Sequence, residues 1–202
     1  QNEWLKIKTS YDKYIGYIKN RNFKKNLKIT HKISSLKANL YSKPERNCKT
    51  NIKLSFCSLI SVTEKIKNFY RFDKYWIKKK DVKPINFKQN IFKNICMFTN
   101  TRYKWGGRSY KGIDCSALVQ LFFKFNNLHC PRDTKDQIIY FKKAKKIKKD
   151  AIIFWRGHVA VCLSKKILIH AYGPKKKVLI MNIRKTLKLI EKTAKLQVIG
   201  IR

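Results

Sequence analysis

A cysteine preceded by a glycine-bearing polar loop, and histidines that open or sit within short apolar strands, are the residues of this chain best suited to chemistry. Cys115 follows "YKWGGRSYKGID" and leads into Leu118, Val119, Phe122 and Phe125, whose spacing predicts an amphipathic helix starting near the thiol. A thiol in the first turn of a helix faces unpaired N–H groups and the positive end of the helix dipole, and both favour thiolate. The competing reading is an inert buried cysteine, because free Cys is among the most buried residue types. A loop with three glycines and several polar groups is a poor setting for such a thiol and a good one for an exposed site.

A nucleophilic thiol needs a base, and the chain holds four histidines: His31, His129, His158 and His170. His158 opens "HVAVCL" and His170 lies in the next apolar run, "LIHAY". Read as adjacent antiparallel strands, the two runs can bring both rings together. His158 would then take the thiol proton, while His170 orients the imidazole and fixes its tautomer.

These residues must be positioned by the elements around them. Residues 88–99 place Ile91, Phe92, Ile95 and Phe98 at helical spacing, which predicts a helix ahead of the loop. Beyond the lysine-rich link 142–149, "AIIFW", "HVAVCL", "ILIHAY", "KVLIMNI" and "LQVIGI" are short, β-branched and separated by turn-like breaks, which predicts an antiparallel sheet. Helices first and strands afterwards imply an α+β domain with the helix on one face of the sheet. Upstream, "WLKIKT" and "YIGYIKN" predict a small β-module, and residues 33–85 repeat the theme, with "YWIKKKDV" echoing "YIGYIKNRNF" as a closing strand.

The segments "YKWGGRSYKGIDCSALVQ", "GHVAV" and "LIHA" resemble, in order, the three signature segments of the NlpC/P60 peptidases. The upstream modules resemble bacterial SH3 domains, and the joint arrangement resembles γ-D-glutamyl-L-diamino acid endopeptidases. The resemblance implies a papain-like domain over residues 87–202, an SH3-like module over 33–86 and a partial one over 1–32. It implies Cys115 as nucleophile, His158 as base, His170 as orienting residue and Tyr103 beside the oxyanion. It further implies that Asp114 and Ser116 hold the free amine of an N-terminal L-alanine, with Trp105 and Thr134 lining the pocket. Ala117, where the family usually has Gly, and "KKDAIIF", in place of the usual Gly-Asp, depart from its pattern without removing a reacting group.

The expected function is hydrolysis of γ-D-glutamyl-diamino acid bonds in peptidoglycan stem peptides or muropeptides, with no cofactor and no metal. The alternatives are a non-catalytic cell-wall or polyanion-binding protein, and an amidase or acyltransferase on the same fold. Six cysteines without a close CxxC pair argue against a zinc site and favour a reducing compartment, so a bacterial cytoplasmic role in peptide recycling is expected ahead of secretion. No run approaches eighteen apolar residues, and the opening "QNEWLKIKTS" lacks the apolar core of a secretory signal, so no membrane span is expected. A formal charge of +38 permits nonspecific polyanion binding. Because lysine is spread over the whole chain, a compositional bias explains that charge better than a selected patch.

Overall fold

The computed structural model describes residues 3–21, 23 and 27–202. It opens with a hairpin in which β1 (Trp4–Lys8) pairs antiparallel with β2 (Ile15–Lys19), both strands alternating exposed and half-buried positions as a one-sided ribbon should. The two expected strands therefore form; the expected echo runs to Phe23 and includes Asn22, which lies outside the described residues. The hairpin turn reaches the last domain, where the Tyr11 hydroxyl donates to the Leu128 carbonyl at 2.7 Å.

The next unit contains β3 (His31–Ile33), β4 (Lys37–Tyr41), β5 (Lys49–Ser55), β6 (Leu59–Ile60), β7 (Glu64–Ile66), β8 (Phe69–Phe72), β9 (Tyr75–Lys78) and β10 (Val82–Pro84). They form antiparallel sheets ordered β10-β3-β6 and β5-β4-β9-β8-β7 around Ile33, Ala38, Leu40, Ile60, Ile77 and Val82. The expected module boundary after residue 32 falls inside β3. Apolar packing joins this unit to the last domain, because Phe56 lies with its ring centroid 4.8 Å from Phe125 and 4.9 Å from Phe122.

Residues 88–99 depart from the expected helix. Lys93, Ile95, Met97 and Thr99 each donate to the carbonyl three residues back, and only Ile95–Phe98 is helical, as a 3-10 turn. Asn94 stands in the left-handed region at φ 65°, which interrupts any α-helical run. Phe92, Ile95 and Phe98, the residues buried here, are spaced three apart, the period of the tighter helix.

A small hairpin, β11 (Arg108–Ser109) and β12 (Gly112–Ile113), then leads into α1 (Cys115–Phe125), followed by α2 (Thr134–Tyr140). The sheet expected after the lysine-rich link is present as β13 (Ile152–Trp155), β14 (His158–Cys162), β15 (Ile167–Tyr172), β16 (Lys177–Asn182) and β17 (Val198–Ile201), antiparallel throughout and ordered β16-β15-β14-β13-β17. Its alternating side chains serve two cores. Val159, Val161, Ile169 and Ala171 cluster with Leu118, Val119 and Phe122 of α1, whereas Ala160, Cys162, Leu168 and Tyr172 cluster with Ile183 and Ile190 of α3 (Ile183–Ala194). The sheet thus carries helices on both faces, where one was expected.

Lys32 of β3 is fully buried, and its ammonium donates to the Phe87 carbonyl at 2.7 Å and to the carbonyl of Phe125, the last residue of α1. A cation there satisfies a carbonyl that the helix leaves unpaired and sits at the negative end of its dipole. Lys32→Met keeps the stem and orphans both carbonyls, so it should cost about 1–3 kcal/mol of stability. Urea unfolding would read this as a lower midpoint at unchanged slope; an unchanged midpoint would show that Lys32 does not hold the units together.

Candidate active site

The loop before Cys115 depends on close backbone approach. A Cβ on Gly107 would lie 2.6 Å from the Gly112 carbonyl oxygen, and Gly106 takes φ 71°, so "WGG" is required for the chain to turn back on itself. That turn aims the Gly106 N–H at Asp114 Oδ2, at 2.9 Å. Asp114 is the N-cap of α1, with Oδ1 accepting from the Ala117 N–H at 2.8 Å. The same carboxylate takes both arms of Arg132, Nη1 at 3.1 Å and Nη2 at 2.5 Å, and accepts from the Ser116 hydroxyl at 3.2 Å. Arg132 Nη1 also donates to Ser116 Oγ at 2.7 Å.

This network engages Asp114 and Ser116, the two residues expected to hold a substrate amine, with partners of the chain itself. Five donors converge on one carboxylate, which has about four lone-pair positions, so its acceptor capacity is fully engaged in the resting site. Asp114 caps the helix and pairs with Arg132, and the Ser116 hydroxyl is engaged by both.

Cys115 begins α1, with its thiol 3.9 Å from the Gly157 carbonyl. Burial, and then the charge of Asp114, push the thiol up to about 11, only partly opposed by the N–H groups of Val159, Ser116 and Cys115 itself. The expected lowering of the thiol pKa is therefore not found in the resting site, because removal from water outweighs the helix terminus. Gly157 and Val159 flank His158, which places the thiol against the turn that opens β14.

His158 and His170 come together as expected, with Nε2 of His158 3.0 Å from Nδ1 of His170. Burial, with the neighbouring His170 second, brings His158 down to about 3, and burial alone brings His170 to about 4. Both rings are thus neutral at physiological pH. Nε2 of His170 has no hydrogen-bond partner among the described residues.

A cleft of about 370 Å³ exposes the site, lined among others by Cys115, Tyr103, Trp105, Ser116, Thr134 and Gly157. Burial and the proximity of Cys115 and Asp114 raise Tyr103 to about 12, so it stays a phenol able to donate. Trp105 is 83% exposed at the cleft and Thr134 opens α2. Three contributors were not anticipated. Arg132 shares the "PRDT" segment with Thr134, and that segment was the available signal. Gln137 ties α2 to α1 by donating to the Ser116 carbonyl at 3.0 Å and the Pro131 carbonyl at 2.9 Å. Tyr14 lines the cleft from the N-terminal hairpin, which is anchored by Asp12 accepting from Gln120 at 2.9 Å and Arg108 at 3.3 Å; nothing local to Tyr14 announces this.

The NlpC/P60 family model matches residues 100–193, the segment that holds the loop, Arg132 and both histidines. The match places an NlpC/P60 domain at residues 100–193. A dipeptidyl-peptidase 6 of Lysinibacillus sphaericus is 32% identical over 90 residues, covering 42% of this chain and 32% of that protein. A murein DD-endopeptidase MepS/murein LD-carboxypeptidase of Escherichia coli strain K12 is 30% identical over 98 residues, covering 45% of this chain and 52% of that one. The chain spans between 32% and 58% of the length of these and the other curated relatives it matches. The crystal structure of an NlpC/P60 family protein from Bacillus cereus superposes over 100% of this chain and 76% of its own, with a TM-score of 0.80 and 20% identity, so the fold is shared along the whole chain.

Within the NlpC/P60 domain, Arg132→Leu should cost about 3–5 kcal/mol, since it leaves Asp114 as a buried, unpaired charge. Adding Asp114→Asn should recover part of that loss. Urea unfolding of the single and double variants tests it, and additive losses would rule out the pairing.

The histidines also set an acid limit. A histidine that titrates near 3 when folded and near its ordinary value of about 6.5 when unfolded lets the unfolded chain bind the extra proton between those values. Stability should be complete above about pH 6.5 and fall as pH drops towards 3. Thermal unfolding across that range should show a steeper decline for the native chain than for His158→Gln/His170→Gln. Equal slopes would mean the rings are protonated in the fold.

Proposed function

We propose that this chain is a cysteine endopeptidase that hydrolyses γ-D-glutamyl-diamino acid bonds in peptidoglycan-derived peptides. The observation that carries this reading is the buried His158–His170 hydrogen bond of 3.0 Å, together with a helix-start thiol on the wall of an open cleft that lies 3.9 Å from the carbonyl of Gly157, the residue before His158. With Nε2–H of His158 donating to His170, Nδ1 of His158 keeps its lone pair and serves as the base. Because the resting thiol and imidazole are both neutral, the proton moves from sulfur to His158 as the sulfur–carbon bond forms. The oxyanion is met by N–H groups at the start of α1 and by the Tyr103 hydroxyl. Collapse returns the proton to the departing amine and leaves a thioester, and a water activated by His158 then releases the acid and restores the thiol.

The names of the relatives, a dipeptidyl-peptidase and a murein endopeptidase, support wall-derived peptides as substrates. Trp105 and Thr134 act as pocket walls in this reading. Residues 31–84 are read as an SH3-like module, on the support of their short antiparallel strands and the Tyr75-Trp76 pair in β9. With Asp114 committed to Arg132, the substrate amine needs another partner or none.

Incubation with defined muropeptides, followed by mass spectrometry, tests the reaction. The intact chain should cut after γ-D-Glu, and Cys115→Ala should lose activity by about a thousandfold or more. Near-normal turnover by Cys115→Ala would end the peptidase reading. Acetylating the N-terminal L-Ala should change kcat/KM by less than about tenfold, since no buried carboxylate is left unpaired; a loss of about a hundredfold or more would return the amine to a charged partner in the cleft.

A further inference from the structure

Lysine is spread over the whole chain, but one run concentrates it. Residues 142–149 read "KKAKKIKK", six lysines in eight positions, against 49 Lys and Arg in the 202 residues of the whole chain. All six lysines are exposed, while Ala144 and Ile147, three apart, are partly buried. Ile147 packs into the cluster that also holds Leu187 and Ile190 of α3, and the Ala144 N–H donates to the Ile201 carbonyl of β17 at 3.0 Å. The segment is therefore pinned by its apolar members and turns its cations outward. Among the described residues, none of the six lies in an ion pair.

Exposed apolar side chains adjoin this run. Ile139, 83% exposed, and the half-exposed Tyr140 end α2 just before it, and Ile199, 56% exposed, lies on β17. Two hydrogen bonds tie these segments to one another: Arg202 Nε donates to the Ile138 carbonyl at 2.8 Å, and Ala144 bonds to Ile201 as above. A surface that served only a dissolved polyanion would have no use for large apolar groups among its lysines. Cations flanking exposed Ile and Tyr match an anionic bilayer, whose headgroups attract the charge and whose interface takes up the apolar groups.

We propose that the face formed by the end of α2, residues 142–149 and the edge strand β17 docks on an anionic lipid surface. The other end of α2 lies in the catalytic cleft, where Thr134 and Lys135 form part of the wall. A seven-residue helix spans about 10 Å, so docking at the Tyr140 end would hold the cleft close to the bilayer without covering it. The inference stands apart from the peptidase reading, because neither the surface nor its test involves Cys115.

The test is co-sedimentation of the full chain with vesicles of phosphatidylcholine containing phosphatidylglycerol, and with vesicles of phosphatidylcholine alone. Binding should require the anionic lipid. Lys143→Gln/Lys145→Gln/Lys146→Gln should weaken it roughly a hundredfold, at about fivefold for each lysine near the surface. A control with the same loss of charge, Lys65→Gln/Lys67→Gln/Lys79→Gln in the N-terminal unit, should weaken it far less. Ile139→Ser should remove the part of the binding that survives high salt, because that part is apolar. Circular dichroism of each variant confirms that it folds. Equal losses in the two lysine triples would show that overall charge alone drives binding and overturn the proposal. So would patch-dependent binding to soluble polyphosphate combined with vesicle binding indifferent to Ile139→Ser, which would make the face a polyelectrolyte site.

Discussion

The cleft is organised around one buried carboxylate. Asp114 ends the glycine-bearing loop, caps α1 and receives the paired arms of Arg132, so three segments are referred to a single group. A negative charge at the start of a helix and a cation at its end both suit the dipole, and Lys32 supplies the second from a different unit of the chain. The helix that presents Cys115 is thereby held at both termini by side chains outside it. The ion pair is buried, which makes it costly to break and a weak source of net stability. Its evident effect is positional.

The thiol of Cys115 and the two buried imidazoles are neutral at rest. Burial raises the thiol and lowers both histidines, and each shift disfavours the charged form that catalysis would call upon. Such a site holds the thiol and the imidazole ready without sustaining an ion pair in the absence of substrate. The cost is carried by the two rings, which satisfy each other on one side and leave Nε2 of His170 without a partner among the described residues on the other.

Two further features follow from the sheet. Its strands alternate between the α1 core and the α3 core, so the strands bearing His158 and His170 are buried on both faces and have little freedom to reorient. The N-terminal units add to this rigidity in different ways. Phe56 enters the α1 core directly, while the hairpin turn is fastened by Asp12 and brings Tyr14 to the cleft wall.

Local pattern determined much of what was legible in the sequence. The β-branched runs from 151 onwards, the amphipathic spacing after Cys115 and the glycines before it announced the sheet, the helix that begins at Cys115 and its loop, because each is set by the backbone preferences and periodicity of a short stretch. The same kind of reading failed where two periods compete. Phe92, Ile95 and Phe98 suit a 3-10 turn as well as an α-helix, and the left-handed Asn94 decided between them. The helix α3 escaped because its buried positions, Ile183, Thr186 and Ile190, are few and one of them is polar. Only the tertiary structure could decide that Asp114 is consumed by Arg132, 18 residues away, that Tyr14 belongs to the cleft, and that burial overrides the helix terminus at Cys115. Pairing and desolvation depend on groups distant along the chain, and no local window contains them.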